Sequence, residues 1–357
     1  MKIIHCSDLH IGSKIDSLPS EKSITRREDV LHAFERLCAY AKSNSVSVVI
    51  IAGDLFDERK CSKKITERVL YAISQCGDCD FIYLQGNHDF NFFESIDCQM
   101  PVNLKILSGE FSSCRYENVV IGGLSLSEYG IINQYDKINF DPKDFNVLVM
   151  HGEVVDYKAI DNPESVSLTL LKDKSIDYLA LGHFHFYQKG KIDSRGQYAY
   201  SGCLEGRGFD ETGEKGFVLI DTDLEEKFSF VPFSSRIFYE INFDVSSYKD
   251  WLSCRDDILK NLSQQYSENS IIKFVLLGER AVDFNVNLEE IKQRLNEIFF
   301  YAKVNDKTTL KIALESYIND KTINGEFVRL VLGSDLSVEE KNLVVERGLV
   351  ALRGKLK

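Results

Sequence analysis

Short apolar runs alternate with stretches of helical periodicity along the first part of the chain. The runs at 46–52 and 81–84 are almost entirely apolar, a pattern typical of parallel strands that helices cover on both faces. Between them, residues 63–75 place Ile65 and Val69 on one face of a helix. This strand–helix–strand order predicts an α/β domain built on a largely parallel sheet.

A capping box at Thr25-Arg26-Arg27-Glu28 predicts the start of a helix that runs to about residue 42. After residue 187 the predicted strands follow one another without helices between them, which favours antiparallel hairpins. The remaining strands of this part are predicted at 119–124, 146–150, 178–181, 198–201, 217–221 and 228–233.

A second α/β pattern begins near residue 236, and a second capping box, Ser337 to Glu340, precedes a further amphipathic helix. Strands are predicted at 239–245, 271–277 and about 309–312, and helices at 248–265 and 288–300. We therefore predict three parts: a domain over 1–235, a smaller α/β domain over 236–318 and a C-terminal helical segment over 319–357.

Composition limits the class of protein. With 44% hydrophobic and 27% charged residues and no long apolar run, the chain is predicted to be globular and to lack a membrane span. Residues 1–6 lack the apolar core of a secretory signal, and nine cysteines, an odd number, resemble reduced thiols more than a disulfide framework. Both observations predict a cytoplasmic location.

The net charge of −12 is unevenly distributed. Residues 1–235 carry 25 basic and 36 acidic side chains, whereas residues 236–357 carry 18 and 19. The acidic balance of the first part argues against tight binding of nucleic acid through bulk charge. It is compatible with a phosphodiester substrate if bound divalent cations neutralise part of the carboxylate charge.

Five of the seven histidines lie in short polar stretches that directly follow predicted strands. The carboxyl ends of parallel strands meet at one edge of a sheet, where open α/β proteins build their sites. We therefore expect one site at a single sheet edge, assembled from five strand ends. These ends are Asp8-Leu9-His10, Gly53-Asp54, Gly86-Asn87-His88-Asp89, His151-Gly152 and Gly182-His183-Phe184-His185.

Mixed oxygen and nitrogen donors without thiolates suit manganese, iron or zinc better than calcium. Seven donors are too many for one tetrahedral zinc ion, but they suit two octahedral ions that share a carboxylate. Two such ions are arranged for in-line displacement at phosphorus by an activated water, with His88 as the candidate proton donor to the leaving oxygen. The predicted metal ligands are Asp8, His10, Asp54, Asn87, His151, His183 and His185.

The order of these motifs, DxH, GD, GNHD, H and GHxH, resembles that of the calcineurin-like metallophosphoesterases. Within this superfamily the chain is similar to the SbcD-type DNA double-strand-break repair nucleases, strongly over residues 1–235 and more weakly beyond. The stretch at 201–217 contributes to the resemblance. The resemblance implies a four-layer α/β/β/α sandwich with a smaller C-terminal α/β capping domain, and two divalent metal ions, with Mn²⁺ as the expected species.

Carried over by position, the resemblance implies that Asp54 bridges the two ions and that His88 is the catalytic histidine. Asp57 and Asp89 would orient a ligand or His88 through hydrogen bonds, and a role as loop caps is the alternative. Many family members have histidine where this chain has Asp57, so no proton transfer is expected there. One ion would be bound by Asp8, His10, Asp54 and His185, and the other by Asp54, Asn87, His151 and His183.

The implied function is that of a metal-dependent DNA nuclease in double-strand-break repair, with 3′–5′ exonuclease and endonuclease activity. The alternative is a phosphodiesterase of the same superfamily that acts on a small molecule or a cyclic nucleotide, which would have less need of a second domain. An inactive scaffold is expected to have lost ligands, and none of the seven is missing.

The resemblance also implies partners. The family's nucleases work with a coiled-coil, SMC-like ATPase of the SbcC type, and this chain has no GxxxxGK[ST] loop of its own. The helix after Ser337 would dock on that partner or pack on its own domain. DNA is the implied substrate, and Lys303, Lys307 and Lys311 could contact its backbone. A homodimer is a further expectation.

Overall fold

The computed structural model describes residues 1–57, 61–107, 110–125, 132–158, 162, 164–281, 284–311, 317 and 319–352. It divides into two compact units, Met1–Phe238 and Tyr239–Lys357. None of the helices within the described ranges combines the length and the hydropathy needed to cross a membrane. The division into three parts at 235 and 318 stays a prediction.

The first unit contains two six-stranded sheets. Its strands are β1 Lys2–Cys6, β2 Val48–Ala52, β3 Asp80–Leu84, β4 Leu104–Leu107, β5 Ser112–Tyr116, β6 Val119–Gly123, β7 Phe145–His151, β8 Glu153–Val155, β9 Ser165–Ser167, β10 Tyr178–Gly182, β11 Gln188–Lys191, β12 Gln197–Tyr200, β13 Gly216–Asp221 and β14 Phe228–Pro232. The strand orders are β14-β13-β1-β2-β3-β4 and β11-β12-β10-β7-β6-β5. The central strands are parallel, and β11, β13 and β14 pair antiparallel as predicted.

The two sheets pack face to face, and helices cover their outer faces. Ile50 of the first sheet and Val147 of the second lie in one shared core. Outside the first sheet, Phe34 of a helix contacts Phe81; outside the second, Leu171 packs into a separate apolar cluster. The helices are α1 Ser20–Ser43, α2 Lys63–Ser74, α3 Ile132–Tyr135 and α4 Leu168–Leu171. This arrangement is the predicted four-layer α/β/β/α sandwich.

Helix α1 begins earlier than its capping box predicted. It starts at Ser20, after Pro19 at the N-cap position. Thr25 lies inside the helix, where its hydroxyl donates to the carbonyl of Glu21 at 3.4 Å. The predicted start was wrong because the helical hydrogen bonds already begin at Pro19, whose carbonyl accepts from the Ser23 N–H at 2.8 Å. Strands β4 and β5 were not predicted; β5 is half exposed, with little apolar signal.

The second unit is a smaller α/β structure. Its elements are β15 Phe238–Asp244, α5 Trp251–Gln265, β16 Ile271–Leu277, β17 Glu279–Ala281, α6 Leu288–Ile298, β18 Tyr301–Asp306, β19 Thr309–Lys311, α7 Ile323–Leu332 and α8 Val338–Leu352. Strands β15, β16 and β18 form a sheet, and the apolar faces of α5 and α6 share its core. The capping box before α8 is confirmed: Ser337 N donates to Glu340 Oε2 at 2.8 Å. The predicted strand at 309–312 was expected to close this unit, but its described part, β19, pairs with β17, and the third strand of the sheet is β18, which was not predicted. The predicted end at 312 lies outside the described residues.

Candidate metal centre

The predicted ligands follow strands of both sheets of the first unit. Asp8, Asp54 and Asn87 follow β1, β2 and β3 of the first sheet, whereas His151 ends β7 and His183 follows β10 in the second. The expectation of one sheet edge was therefore wrong. Because the sheets pack face to face, loops from the carboxyl ends of two sheets meet in one cluster.

Asp8, His10 and His185 form one group of potential metal ligands. Their donor atoms all lie within 4.8 Å of one another. His10 Nε2 is 3.2 Å from His185 Nε2, and His185 Nε2 is 3.9 Å from Asp8 Oδ1. Three donors thus converge on one point, as the ligands of a single ion must.

Asp54 lies between this group and a second one. Its Oδ2 is 3.6 Å from His10 Nε2 and 3.4 Å from His151 Nε2. Asn87 Oδ1 is 3.0 Å from the same nitrogen of His151. The side chain of Asp54 is 3% exposed, so its charge is compensated by these neighbours and not by solvent.

Three of the histidines have their Nδ1 atoms held by oxygen acceptors. His10 Nδ1 is 3.0 Å from Asp57 Oδ1, His185 Nδ1 is 2.7 Å from Glu211 Oε1, and His151 Nδ1 is 2.9 Å from the carbonyl of Ala52. Metal-binding histidines use this pattern, because an anchored Nδ1–H leaves the Nε2 lone pair free and oriented. The donor set therefore fits divalent metal ions.

Several of the candidate ligands have unusual backbone conformations. The φ angles are +54° at Asp8, +46° at His10, +54° at Asp54 and +109° at His183. Non-glycine residues rarely adopt positive φ, and the strain that this costs is typically found at functional sites. The surrounding fold holds these four residues in conformations that direct their side chains or amides into the cluster.

Two glycines allow the ligands to approach. A Cβ atom on Gly53 would overlap the ring of His151, and one on Gly86 would overlap the carboxylate of Asp54. Gly53 also has a φ of +87°. These positions must lack a side chain for the two strand-end loops to come together.

His183 and His88 occupy the margin of the cluster. The ring of His183 is 5.6 Å from that of His151, and its backbone N–H donates to Asp8 Oδ1 at 2.9 Å. The side chain of His88 is 46% exposed, and its ring lies edge-on to His10 with a centroid distance of 4.8 Å. His88 is therefore the histidine of the cluster that is most open to a substrate.

Asp57 and Asp89 have different surroundings. Asp57 Oδ1 faces His10 Nδ1 and lies 3.9 Å from His88 Nδ1. Asp89 is fully buried and accepts from the backbone N–H groups of Leu55 at 2.7 Å and Gly86 at 2.8 Å. The contacts of Asp57 orient a candidate ligand, whereas those of Asp89 cap two of the loops.

The cluster shifts the pKa values of its members. Burial would raise the pKa of Asp54, but the hydrogen bond and charge of His151 and the charge of His10 outweigh burial and hold this pKa well below its usual range. Burial would lower the pKa of His151, but the hydrogen bond and charge of Asp54 raise it to about 9. The Asp54 carboxylate is thus ionised and available as a ligand.

Two further residues belong to the site, and neither was predicted. Glu211 anchors His185, and Arg207 Nη2 donates to Glu211 Oε1 at 2.8 Å. Both lie in the stretch at 201–217, which contributed to the family resemblance. They follow no strand end and carry no ligand motif, so hydrophobic patterning contained no signal for their role.

Comparisons with known proteins bear on the identity of this site. The family model for the calcineurin-like phosphoesterases matches residues 1–187. Over 97% of the chain, 24% of residues are identical to those of the DNA double-strand break repair protein Mre11 of Saccharolobus solfataricus, with 94% of that protein covered. Over 62% of the chain, identity is 27% to the uncharacterized metallophosphoesterase YhaO of Bacillus subtilis and 28% to Mre11 of Haloferax volcanii. The chain spans 57% and 49% of the lengths of the latter two.

Among solved structures, a dimetal phosphatase from Danio rerio matches 61% of the chain, with 91% of that structure covered, 14% identity and a TM-score of 0.41. Members of the matched family use divalent metal ions, and the donors of the first unit are suited to them. Because the family model covers more than half of the 357 residues, the chain belongs to the calcineurin-like phosphoesterase family.

Proposed function

We propose that the chain is a dinuclear-metal phosphodiesterase that cleaves DNA in double-strand-break repair, as an SbcD-type nuclease. The observation that carries the proposal is the position of Asp54 Oδ2, 3.6 Å from His10 Nε2 and 3.4 Å from His151 Nε2. One carboxylate oxygen between two groups of donors is what two ions with a shared ligand require. The proposed sets are Asp8, His10, Asp54 and His185 for one ion, and Asp54, Asn87, His151 and His183 for the other.

Two divalent ions, with Mn²⁺ as the proposed metal, would supply an activated water and charge stabilisation at the phosphate. His88 would donate a proton to the leaving oxygen, because its ring is exposed and Asp57 lies 3.9 Å from its Nδ1. The backbone N–H of His88 donates to Asp54 Oδ1 at 3.0 Å. This bond couples the position of the proton donor to that of the shared ligand.

Two observations favour DNA over a small ester. A relative that matches the chain nearly end to end is named as a DNA double-strand break repair protein. Phe184 and Phe186, on either side of His185, are 38% and 47% exposed. Exposed aromatic rings beside the ligands can stack on unpaired bases, which a small phosphodiester lacks. We propose cleavage from 3′ ends and at internal positions.

Helices α7 and α8 are the proposed docking site for a coiled-coil, SMC-like ATPase. Val345 and Leu349 of α8 pack on Val328 of α7. Other apolar side chains of the pair remain exposed, among them Leu330 at 68% and Leu343 at 50%. The pair therefore packs on itself with one face and offers apolar side chains to a partner helix with another.

The test is cleavage of end-labelled single- and double-stranded DNA by the full chain with Mn²⁺, alone and with a coiled-coil ATPase of the SbcC type. We expect metal-dependent cleavage that EDTA abolishes. Replacing Phe184 and Phe186 by alanine should lower kcat/KM on single-stranded DNA about tenfold and leave turnover of bis(p-nitrophenyl) phosphate unchanged. Cleavage of the small ester without action on any DNA would contradict the nuclease assignment and favour the small-molecule alternative.

A further inference from the structure

One arginine connects the two carboxylates that orient histidines of the cluster. Arg207 Nη2 donates to Glu211 Oε1 at 2.8 Å, and Arg207 Nη1 lies 3.5 Å from Asp57 Oδ1. Glu211 holds His185, and Asp57 holds His10. The side chain of Arg207 is only 16% exposed, so its charge is balanced mainly by these two carboxylates.

The backbone around Arg207 is fixed from the other side by a buried arginine of α1. Arg26 has no exposed surface. Its Nη2 donates to the carbonyl of Gly206 at 2.7 Å and to Glu205 Oε2 at 2.6 Å. The segment that presents Arg207 is therefore held against α1 by charge-assisted hydrogen bonds, which are stronger than neutral ones.

The arginine reaches the orienting groups of only one side of the cluster. His10 and His185 are anchored by carboxylates that contact Arg207. His151 is anchored by the backbone carbonyl of Ala52, which depends on the β2 strand and not on any charged side chain. The two predicted ions would therefore differ in how their histidines are kept in place.

We propose that Arg207 is a positioning residue for one of the two metal sites, the one formed around Asp8, His10 and His185. It holds Asp57 and Glu211 where they fix the two imidazoles before an ion binds. This inference rests on the proposed dinuclear site and adds that its two halves depend on different supports. Loss of groups that orient metal ligands typically lowers metal affinity by about 10- to 100-fold.

The experiment is calorimetric titration of Mn²⁺ into the EDTA-treated full chain, with electron paramagnetic resonance of the product to detect coupled ion pairs. Wild type should bind two ions. Arg207→Met should bind one ion about 10- to 100-fold more weakly and the other as wild type does. The electron paramagnetic resonance signal of a coupled ion pair should therefore appear only at a correspondingly higher Mn²⁺ concentration. Arg207→Lys should restore part of the affinity, because it keeps the charge but not the fork of donors.

Arg195→Met is the matched control. Arg195 also bonds a carboxylate and backbone carbonyls, those of Asp177, Pro142 and Asp144, and these three residues are not candidate ligands. The variant should bind both ions as wild type does. Glu211→Gln, which keeps an acceptor for His185 but removes the charge that pairs with Arg207, should weaken the same single site and decides the matter if Arg207→Met does not fold.

Unchanged binding of both ions by a folded Arg207→Met or Glu211→Gln variant would overturn the inference, as would equal weakening of both ions or uptake of a single ion by wild type. Uptake of a single ion by wild type would also contradict the dinuclear site of the proposed function. Failure of the nuclease assignment alone looks different: a wild-type protein that binds two ions but cleaves no DNA contradicts that assignment and leaves the role of Arg207 standing.

Discussion

The two units of the chain share an α/β pattern but differ in where they place polar groups. All seven histidines precede residue 239. Within the described ranges, every non-glycine residue with positive φ and every group of potential metal ligands belongs to the first unit. Asp8, Asp54 and Glu211 are buried there, whereas in the described part of the second unit the buried polar residue is Ser270.

The strand and helix ends show what this difference means. In the second unit, Asp250 and Asn287 cap the first turns of α5 and α6, which is the ordinary use of a polar side chain at an element boundary. In the first unit, the polar side chains after β1, β2 and β3 face one another. An α/β architecture alone therefore does not determine whether a domain has a chemical site. The site arises where charged side chains at strand ends are buried and compensate one another.

Replacement of the shared carboxylate should give the largest effect. Asp54→Ala is expected to abolish binding of both ions and to lower turnover of bis(p-nitrophenyl) phosphate by about 10³-fold or more, since the oxygen common to both groups is removed. Metal content and initial rates measure this. Asp250→Ala, in the second unit, removes the N-cap hydrogen bond to the Ser253 N–H, so it should lower stability slightly and leave both quantities unchanged. Retention of two ions by Asp54→Ala would contradict the assigned ligand set.

Gly86→Ala should have the next largest effect, because its Cβ would overlap the carboxylate of Asp54. We expect the affinity for Mn²⁺ to fall by about 10- to 100-fold. Gly77→Ala is the matched control, since a Cβ at Gly77 meets no atom within 4 Å. If titration calorimetry gives the same affinity for both variants, close packing of this loop is not what places Asp54.

His5 is a buried polar residue inside β1 and not in a strand-end loop, so it tests how burial alone affects the stability of the first unit. Burial lowers its pKa from the ordinary 6.5 to about 3, so the unfolded chain binds a proton that the folded one does not between these values. The unfolding free energy should fall as pH decreases through this window, by about 1.4 kcal/mol per pH unit at most.

Urea unfolding of the metal-free chain at pH 4 to 7, followed by circular dichroism, should show a smaller slope for His5→Gln than for wild type. Fluorescence of Trp251, the one tryptophan of the chain, reports the second unit and should show no such difference between the two proteins. Equal slopes by circular dichroism would mean that His5 does not titrate on unfolding.

The smallest expected effect concerns the second unit. Replacing Lys303, Lys307 and Lys311 by alanine should weaken DNA binding several-fold. The slope of log Kobs against log [salt] should become shallower by about 1 for each phosphate that is no longer neutralised. Turnover of the small ester should not change. The same substitutions at Lys172, Lys189 and Lys191 of the first unit serve as the control; an equal drop in DNA affinity there would remove the distinction between the units.

Much of the fold was predictable, because the periodicity of apolar residues shows which face of an element is buried, and this pattern lies within the element's own sequence. Strands β2 and β3 and helix α2 appear as their patterns indicated, and β16 covers the predicted residues. β5 was not predicted, because it is half exposed and its apolar signal is weak. β4, Leu104–Leu107, is mainly apolar but only four residues long, and its pairing with β3 defines it as a strand. The start of α1 was wrong because two helix-start signals, at Pro19 and Thr25, compete in the sequence.

The sequence by itself determined the residue types and their order: carboxylates, an amide and histidines placed after apolar strands. Only the tertiary structure decided that these ends belong to two sheets, that Asp54 lies between two groups of donors, and that Arg207 and Glu211 complete the cluster. The physical reason is that strand patterns report which faces are buried but not which sheets meet. Distances between charged side chains are set by long-range packing, which no local pattern records.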